Sequence, residues 1–224
     1  MKIADYIEFL VSGEVQQLAV SDVGDLDPAS VVTPTDIHEK NRKKLTTYLN
    51  LANIELYKKF NISVKTLELD FALAGEEFSI PDDYLHAING EFKDDGEDIP
   101  LNNNTKDVVD EVDSLVSIIL VDPTKVLIKG TDAKGRKDML LKYASAPKLA
   151  KNIRSKLELP HTYTEALLNY AAYKAHVSVS GDMKAENNTY YLRFRESCKQ
   201  INLLGLNTPT TLSSNSKLED SGFV

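Results

Sequence analysis

The spacing of apolar residues predicts helices at the start of the chain. Between Met1 and Gly13, apolar side chains recur every three or four positions, which is the pattern of a short amphipathic helix. A proline and several capping side chains at 33–36 precede a longer run of the same spacing. This run predicts a long helix over 36–60, with Asn61 at its end.

The same helical spacing returns near the other end of the chain. Thr162 and Glu165 form a capping-box pattern, and a wide apolar face follows them. A Gly-Asp pair at 181–182 supplies a break and a second cap. The pattern therefore predicts an antiparallel helical hairpin, made of helices over 163–180 and 183–204.

The middle of the chain alternates apolar and polar residues, which is typical of strands. The pattern predicts one or two strands over 63–80 and a short strand or turn over 84–89. The acidic stretch 91–98 contains a glycine and predicts an exposed loop or hairpin tip.

Three further strands are predicted over 115–121, 126–129 and 139–144. The Asp-Pro-Thr-Lys segment 122–125 places proline where a tight turn favours it, and Gly130–Arg136 supplies the second connection. We therefore expect these three strands to form an antiparallel arrangement with tight turns.

Together the elements predict an α+β fold, in which a helical bundle carries an inserted antiparallel β-domain. The long helices near 36–60, 163–180 and 183–204 would form the bundle. The predicted domains are the N-terminal helices over 1–62, the inserted β-rich domain over 63–147, the C-terminal helical hairpin over 148–206 and an extended tail over 207–224.

The composition excludes several classes of protein. A chain of 224 residues with 42% hydrophobic residues and one cysteine is not a collagen, a disulfide-framed secreted domain or a wholly disordered protein. Its apolar runs are far shorter than the ~20 residues of a membrane-spanning helix, and its first residues do not follow a signal-peptide pattern. We therefore expect no membrane contact, and a reducing cytoplasm or a particle assembled there.

Charged residues are unevenly distributed along the chain, which has a net charge of −8. Residues 61–130 carry sixteen acidic and five basic side chains, whereas residues 131–160 carry three acidic and eight basic ones. An acidic protein is a poor candidate for independent DNA binding, because nonspecific affinity comes from Lys and Arg at phosphates. Segregated charge favours electrostatic contact between copies or with partners.

The nearest approach to a phosphate-binding loop is the segment Gly130–Lys137. Its two glycines are separated by four residues, but Arg136 follows the second glycine where such a loop needs lysine. A strand is also predicted next, where a phosphate loop needs a helix. We favour a hairpin turn here, and a nucleotide-binding enzyme or regulator that uses this turn is the alternative hypothesis.

The remaining residues do not indicate an enzyme or a metal site. The four histidines are scattered, and the single Cys198 lies in the apolar seam of the last predicted helix. The acidic residues between 94 and 113 do not follow the ligand spacing of a calcium loop. We therefore predict no catalytic residue, no metal and no cofactor.

Three segments are candidates for contact with partners. Basic residues of the 36–60 helix form either a solvated face or a partner-binding stripe, and a DNA-binding module acting through them is a further alternative. The polar tail holds a few apolar side chains, which are anchors for a partner or part of an idle terminus. The candidates are Lys40, Arg42, Lys43 and Lys44 in the helix, Lys148, Lys151, Arg154 and Lys156 in a basic stretch, and Leu212, Leu218, Phe223 and Val224 in the tail.

The order of four segments is also informative. They are the helix 41–60 with its Leu-Asn-Leu-Ala-Asn-Ile-Glu-Leu-Tyr core, the segment 71–83 that passes through a glycine to Ile-Pro-Asp-Asp, the strand 141–147 that ends in Ala-Pro, and the helix 161–175 with Leu-x-x-Tyr-Ala-x-Tyr-x-Ala. In this order the segments resemble the head-to-tail adaptor proteins of short-tailed bacteriophages, also called tail tubular protein A. The similarity covers roughly residues 36–203.

The resemblance implies a non-enzymatic virion protein at the head-tail junction, assembled in the host cytoplasm. Such adaptors form a ring, usually dodecameric, that joins the portal protein to the tail or nozzle protein and surrounds a channel for packaged DNA. DNA would pass through this lumen without sequence-specific binding. We therefore expect the four apolar tail residues to dock into the portal, and the four basic residues of 148–156 to meet an acidic neighbouring copy.

Overall fold

A computed structural model describes residues 1–13, 15, 39–70, 77–102, 116–122, 124–130, 138–180 and 188–205. Its contacts divide the chain into two compact units. The helical unit contains Met1–Leu56 and Leu149–Val224, and the β unit contains Tyr57–Lys148. The chain thus leaves the helical unit once and returns to it.

Four helices occur in the described residues, where the apolar spacing predicts them. They are α1 (Ile3–Ser12), α2 (Glu39–Phe60), α3 (Thr164–Ser180) and α4 (Thr189–Leu203). The predicted first residues of α2 and α4 lie outside the described residues. None of these four helices is long and apolar enough to cross a bilayer.

Helices α3 and α4 form the predicted antiparallel hairpin. Their side-chain contacts run in opposite order along the two helices, because early residues of α3 meet late residues of α4. The pairs are Glu165 with Ser197, Tyr170 with Phe194, Tyr173 with Tyr191 and His176 with Tyr190. That the long helices form a bundle stays a prediction.

Helix α1 supplies much of the apolar core of the helical unit. Its inward face has a side chain at every third or fourth position, and each of these side chains is at most 1% exposed. The helix also contacts α3. Burial of this many large apolar side chains is the main source of stability for a helix of only ten residues. The buried residues are Ile3, Tyr6, Ile7, Leu10 and Val11.

The predicted caps of the last two helices are corrected by the structure. Thr162 lies in a 3-10 turn over His161–Tyr163, and α3 begins only at Thr164. Because the turn places the first helical residue later, Glu165 does not complete a capping box, and its carboxylate instead accepts a hydrogen bond from the Ser197 hydroxyl at 3.1 Å. For α4 the cap is Asn188, whose side chain accepts hydrogen bonds from two backbone N–H groups of the first turn.

The first sheet of the β unit is entirely antiparallel. Its strands lie in the order β1 (Val64–Asp70), β8 (Asp138–Ser145), β3 (Tyr84–Phe92) and β4 (Asp98–Ile99), so that β8 and β3 are central. Strand β3 is longer than predicted and contains two register shifts where it pairs with β8.

The second sheet has the order β2 (Glu77–Ser79), β7 (Lys125–Lys129), β6 (Ser117–Asp122) and β5 (Leu101–Asn102). Strands β6 and β7 form the antiparallel pair that the sequence predicts, whereas β5 lies parallel to β6. Asp122 stabilises the β6–β7 turn, because its carboxylate accepts hydrogen bonds from the Thr124 N–H and hydroxyl, both at 2.7 Å.

The predicted antiparallel arrangement of three consecutive strands is wrong for the third strand. Strand β8 does not pair with β7 but lies between β1 and β3 in the other sheet. The segment Gly130–Arg136 therefore connects two sheets and is not a hairpin turn, although residues 131–137 themselves lie outside the described residues. Alternating hydrophobicity determines which face of β8 is buried, but it contains no information about the neighbouring strand.

Gly90 on β3 marks a close approach of the two sheets. A Cβ atom at this position would lie 2.8 Å from Cδ1 of Ile118 on β6 and 3.3 Å from the carbonyl oxygen of Ile99. Ile118 is itself fully buried, so it has little space into which to move. Ile118 belongs to the apolar core of the β unit, and Gly90 borders this core. The core contains Leu69, Ile80, Phe92, Ile99, Val116, Ile118, Val126, Ile128, Met139 and Leu141.

We expect Gly90→Ala to lower the free energy of unfolding of the β unit by about 1–3 kcal/mol, because it overpacks this contact. Chemical denaturation with far-ultraviolet circular dichroism measures the change. Thr66→Ala, on the exposed edge strand β1, is the control and should stay within about 0.5 kcal/mol of the wild type. Equal stability of the two variants would contradict the prediction.

Candidate interaction groove

A groove in the helical unit brings together two basic segments that are far apart in sequence. Its walls are the first half of α2 and the segment 150–153, and its volume is about 520 Å³. The sequence identifies both segments as basic but does not place them side by side. The groove is lined by Glu39, Arg42, Lys43, Thr46, Thr47, Asn50, Ala150, Lys151, Asn152 and Ile153.

Asn50 holds the two walls of the groove together. Its side-chain Nδ2 donates a hydrogen bond to the Ala150 carbonyl, and its Oδ1 accepts one from the Ala150 N–H, both at 2.9 Å. The two bonds satisfy both backbone groups of a residue that is only 6% exposed. The position of the 150–153 wall on α2 is therefore specified by one side chain.

The segment after Ala150 is held equally firmly. The Asn152 side chain accepts hydrogen bonds from the N–H groups of Arg154 and Ser155, at 3.0 and 3.2 Å, and so forms a tight turn. The carbonyls of Ile153 and Ser155 accept hydrogen bonds from N–H groups in the first turn of α1, both at 2.9 Å. Helix α1 thus supplies donors that it cannot use internally, and the turn supplies the acceptors.

Three cations and one carboxylate line the groove. Lys43 pairs with Glu39 at 2.8 Å on the surface of α2, a contact that contributes little stability in water. Lys151 is exposed, and Arg42 is half-buried. The Nε–H of Arg42 is buried and has no acceptor among the described residues. The groove is therefore suited to receive an anionic group.

Most of the residues that the sequence predicts as partner contacts in the 148–156 stretch do not line this groove. Lys148, Lys151, Arg154 and Lys156 are all exposed, but only Lys151 lines the groove. Lys148 belongs to the β unit, and Lys156 pairs with Lys2 in an isolated β-bridge beside α1. The predicted tail contacts Leu212, Leu218, Phe223 and Val224 lie outside the described residues.

Sequence reasoning did not identify Asn50 and Asn152 as parts of this site. The sequence contains only a weak indication for Asn50. Asparagine is unfavourable inside a helix, so its presence there suggests that its side chain makes a tertiary contact. For Arg42 and Lys43 the sequence left a solvated face and a partner-binding stripe open. Their position opposite Lys151 is a new observation.

No family model and no curated protein matches this chain. The groove and the division of the chain into two units are therefore the features that bear on its function.

Other candidate chemistry finds less support in the described residues. They contain no group of three metal-ligating side chains, and Cys198 is buried on α4. Strand β8 follows the Gly130–Lys137 segment, so no helix begins where a bound phosphate would need one.

A cluster of aromatic side chains lies between α3 and α4. The Tyr170 ring contacts Tyr173 and Phe194 edge-on, and the Lys174 ammonium group lies 5.3 Å from its centroid. Burial, together with the nearby Glu55 carboxylate, raises the pKa of the Tyr170 phenol to about 12. The neutral phenol is therefore the form that the folded helical unit favours.

We expect the helical unit to lose stability as the pH rises from about 10 to about 12. Below this window both states keep the Tyr170 proton, but within it the unfolded state loses the proton first and is favoured. Unfolding free energies measured across this window should fall less steeply for Tyr170→Phe than for the wild type. The difference in unfolding free energy between the two proteins near pH 8 serves as the reference. If the unfolding free energies of both proteins fall equally steeply with pH, the prediction is contradicted.

We expect Asn50→Ala to destabilise the helical unit by about 1–3 kcal/mol, because the buried N–H and carbonyl of Ala150 lose their partners. Hydrogen exchange followed by mass spectrometry should show faster exchange over 150–153 than in the wild type. Thr47→Ala is the matched control, since the exposed Thr47 hydroxyl bonds only to a carbonyl of its own helix. Unchanged exchange at 150–153 would contradict this role for Asn50.

Proposed function

We propose that this chain is a structural head-to-tail adaptor of a phage virion, without enzymatic activity. In this proposal, copies of the chain form a ring that joins the portal protein to the tail or nozzle protein and lines the DNA channel. The observation that carries the proposal is the basic groove, in which two segments joined through Asn50 and Ala150 present Arg42, Lys43 and Lys151 from a firm scaffold. Rigid, charged surfaces of this kind suit repeated protein contacts.

The two units suit different tasks in such an assembly. The helices near 36–60, 163–180 and 183–204 would form a bundle that faces the portal and neighbouring copies. The β unit, inserted between the two halves of the helical unit, would face the tail. Tail residues Leu212, Leu218, Phe223 and Val224 would dock into the portal, since sparse apolar anchors in a polar segment suit folding upon binding.

The overall negative charge fits a lumen through which DNA passes. A chain with a net charge of −8 repels the phosphate backbone on balance. Packaged DNA would therefore slide past it without sequence-specific binding. The virion at the head-tail junction is the location that this proposal requires.

A DNA-binding module is the second candidate, because the same groove would also attract phosphate groups. It predicts measurable affinity for duplex DNA that falls steeply with salt. The adaptor proposal predicts weak binding that does not depend on Arg42 and Lys151. A filter-binding assay of the wild type and of Arg42→Glu with Lys151→Glu separates the two candidates.

Quantitative mass spectrometry of intact particles tests the proposed function. We expect as many copies of this chain as of the portal protein, with the major capsid protein as the internal standard. Absence of the chain from purified particles would refute the adaptor function. Calorimetric titration with ATP and GTP, with and without magnesium, would then test the nucleotide-binding alternative.

A further inference from the structure

The β3–β4 turn carries the opposite charge to the groove. It connects Phe92 to Asp98 in the β unit, and all its acidic side chains are exposed. The turn's lysine, Lys93, extends to Glu68 on β1, at 3.1 Å. The acidic side chains are Asp94, Asp95, Glu97 and Asp98.

Backbone hydrogen bonds give the turn a defined shape. The Gly96 N–H donates to the Phe92 carbonyl, and the Phe92 N–H donates to the Glu97 carbonyl, both at 2.9 Å. Gly96 has a φ of 72°, which glycine adopts without strain, and a Cβ atom there would meet nothing within 4 Å. The turn therefore presents its carboxylates from a preorganised tip with open space around it, and little conformational entropy is lost on docking.

We propose that the basic groove of one copy of this chain receives the acidic β3–β4 turn of a second copy. Carboxylates of the turn would bind the Arg42 guanidinium and the Lys151 ammonium group. The guanidinium would gain charge-assisted hydrogen bonds to these carboxylates. A groove of about 520 Å³ has room for a few side chains from such a tip.

The two surfaces differ, so the contact between copies is heterologous. Each copy would offer one groove and one turn, so that each can bind two neighbours in head-to-tail order. Contacts of this kind close into a ring when the rotation between neighbours permits it. The biological role of the contact rests on the proposed function, because it names the self-contact of the proposed ring.

Charge reversal tests the contact with purified full-length protein. The groove variant carries Arg42→Glu and Lys151→Glu, and the turn variant carries Asp94→Lys and Asp98→Lys. We expect each variant alone to self-associate at least about tenfold more weakly than the wild type in sedimentation at low salt. Mixing the two variants, or combining all four changes in one chain, should restore association. In the mixture each contact between unlike variants joins opposite charges, and in the fourfold variant every contact does.

Disulfide cross-linking detects the contact even if it is too weak to be seen by sedimentation. Thr47→Cys in the groove and Asp95→Cys in the turn are mixed and oxidised, and we expect a disulfide between the two chains. The control mixes Thr47→Cys with Ser178→Cys, on the exposed part of α3. A yield of the disulfide-linked pair no higher than that of the control would overturn the proposal. This test applies also when sedimentation detects only the monomer.

The same experiments distinguish other occupants of the groove. If the acidic segment 107–113 or DNA occupies it, the turn variant will associate like the wild type, which would overturn the proposal. The result is independent of the particle measurement. If the chain cross-links but is absent from particles, the adaptor function is refuted and the self-contact stands. If the chain is present in particles but does not cross-link, the self-contact is refuted and the adaptor function stands.

Discussion

Replacing Ile7 by alanine is expected to lower the free energy of unfolding of the helical unit by about 2–5 kcal/mol. Ile7 lies on the inward face of α1 and is fully buried. The substitution removes apolar surface from the core and leaves a cavity that the surrounding helices can close only in part. A loss of this size is a large fraction of the stability of an ordinary domain.

Phe9→Ala on the same helix is the control for this prediction. Phe9 is 52% exposed, and its removal should change the unfolding free energy by only about 0.5 kcal/mol. Urea denaturation gives the free energies, and hydrogen exchange over α3 reports on the helical unit specifically. If Ile7→Ala and Phe9→Ala cost the same, α1 is not a central part of the core.

Truncation after Leu206 is expected to abolish attachment to the portal without unfolding the helical unit. The apolar tail residues Leu212, Leu218, Phe223 and Val224 are the proposed portal contacts, and truncation removes all four of them. The last buried apolar residue in the described chain is Ile201 on α4, which the truncation keeps. Co-purification with portal protein measures attachment, and denaturation curves measure stability.

A second variant separates the apolar contacts from the length of the tail. Changing the four apolar tail residues to serine keeps the length and should abolish attachment as truncation does. Changing Thr210, Ser213 and Ser214 to alanine is the matched control and should leave attachment intact. Portal attachment that survives the truncation would refute the docking claim.

Local patterns were sufficient to predict the helices. The period of apolar residues in α1 and in the α3–α4 pair is a property of neighbouring residues, so it can be read without knowledge of the rest of the chain. The caps were predicted less well, because they depend on competing partners. Glu165 illustrates this, since its carboxylate bonds to the Ser197 hydroxyl on another helix and not to the backbone of its own first turn.

The partner of strand β8 could not be predicted from its own residues. Its alternation indicates that Met139 and Leu141 face a core, and both are fully buried. Because β8 follows β7 in sequence, it was expected beside β7. Its partners are instead β1 and β3, whose paired residues lie 68 or more and 47 or more positions away along the chain. A choice among several possible neighbours depends on the packing of the whole unit.

The sequence by itself determined the mixed helix and strand content, the positions of the helices and the acidic and basic segments, because these follow from the order of nearby side chains. Only the tertiary structure decided that α2 and the segment 150–153 form one groove. The two hydrogen bonds that join them connect residues 100 positions apart. Such contacts exist only after the chain has closed the loop between them, so no local pattern can encode them.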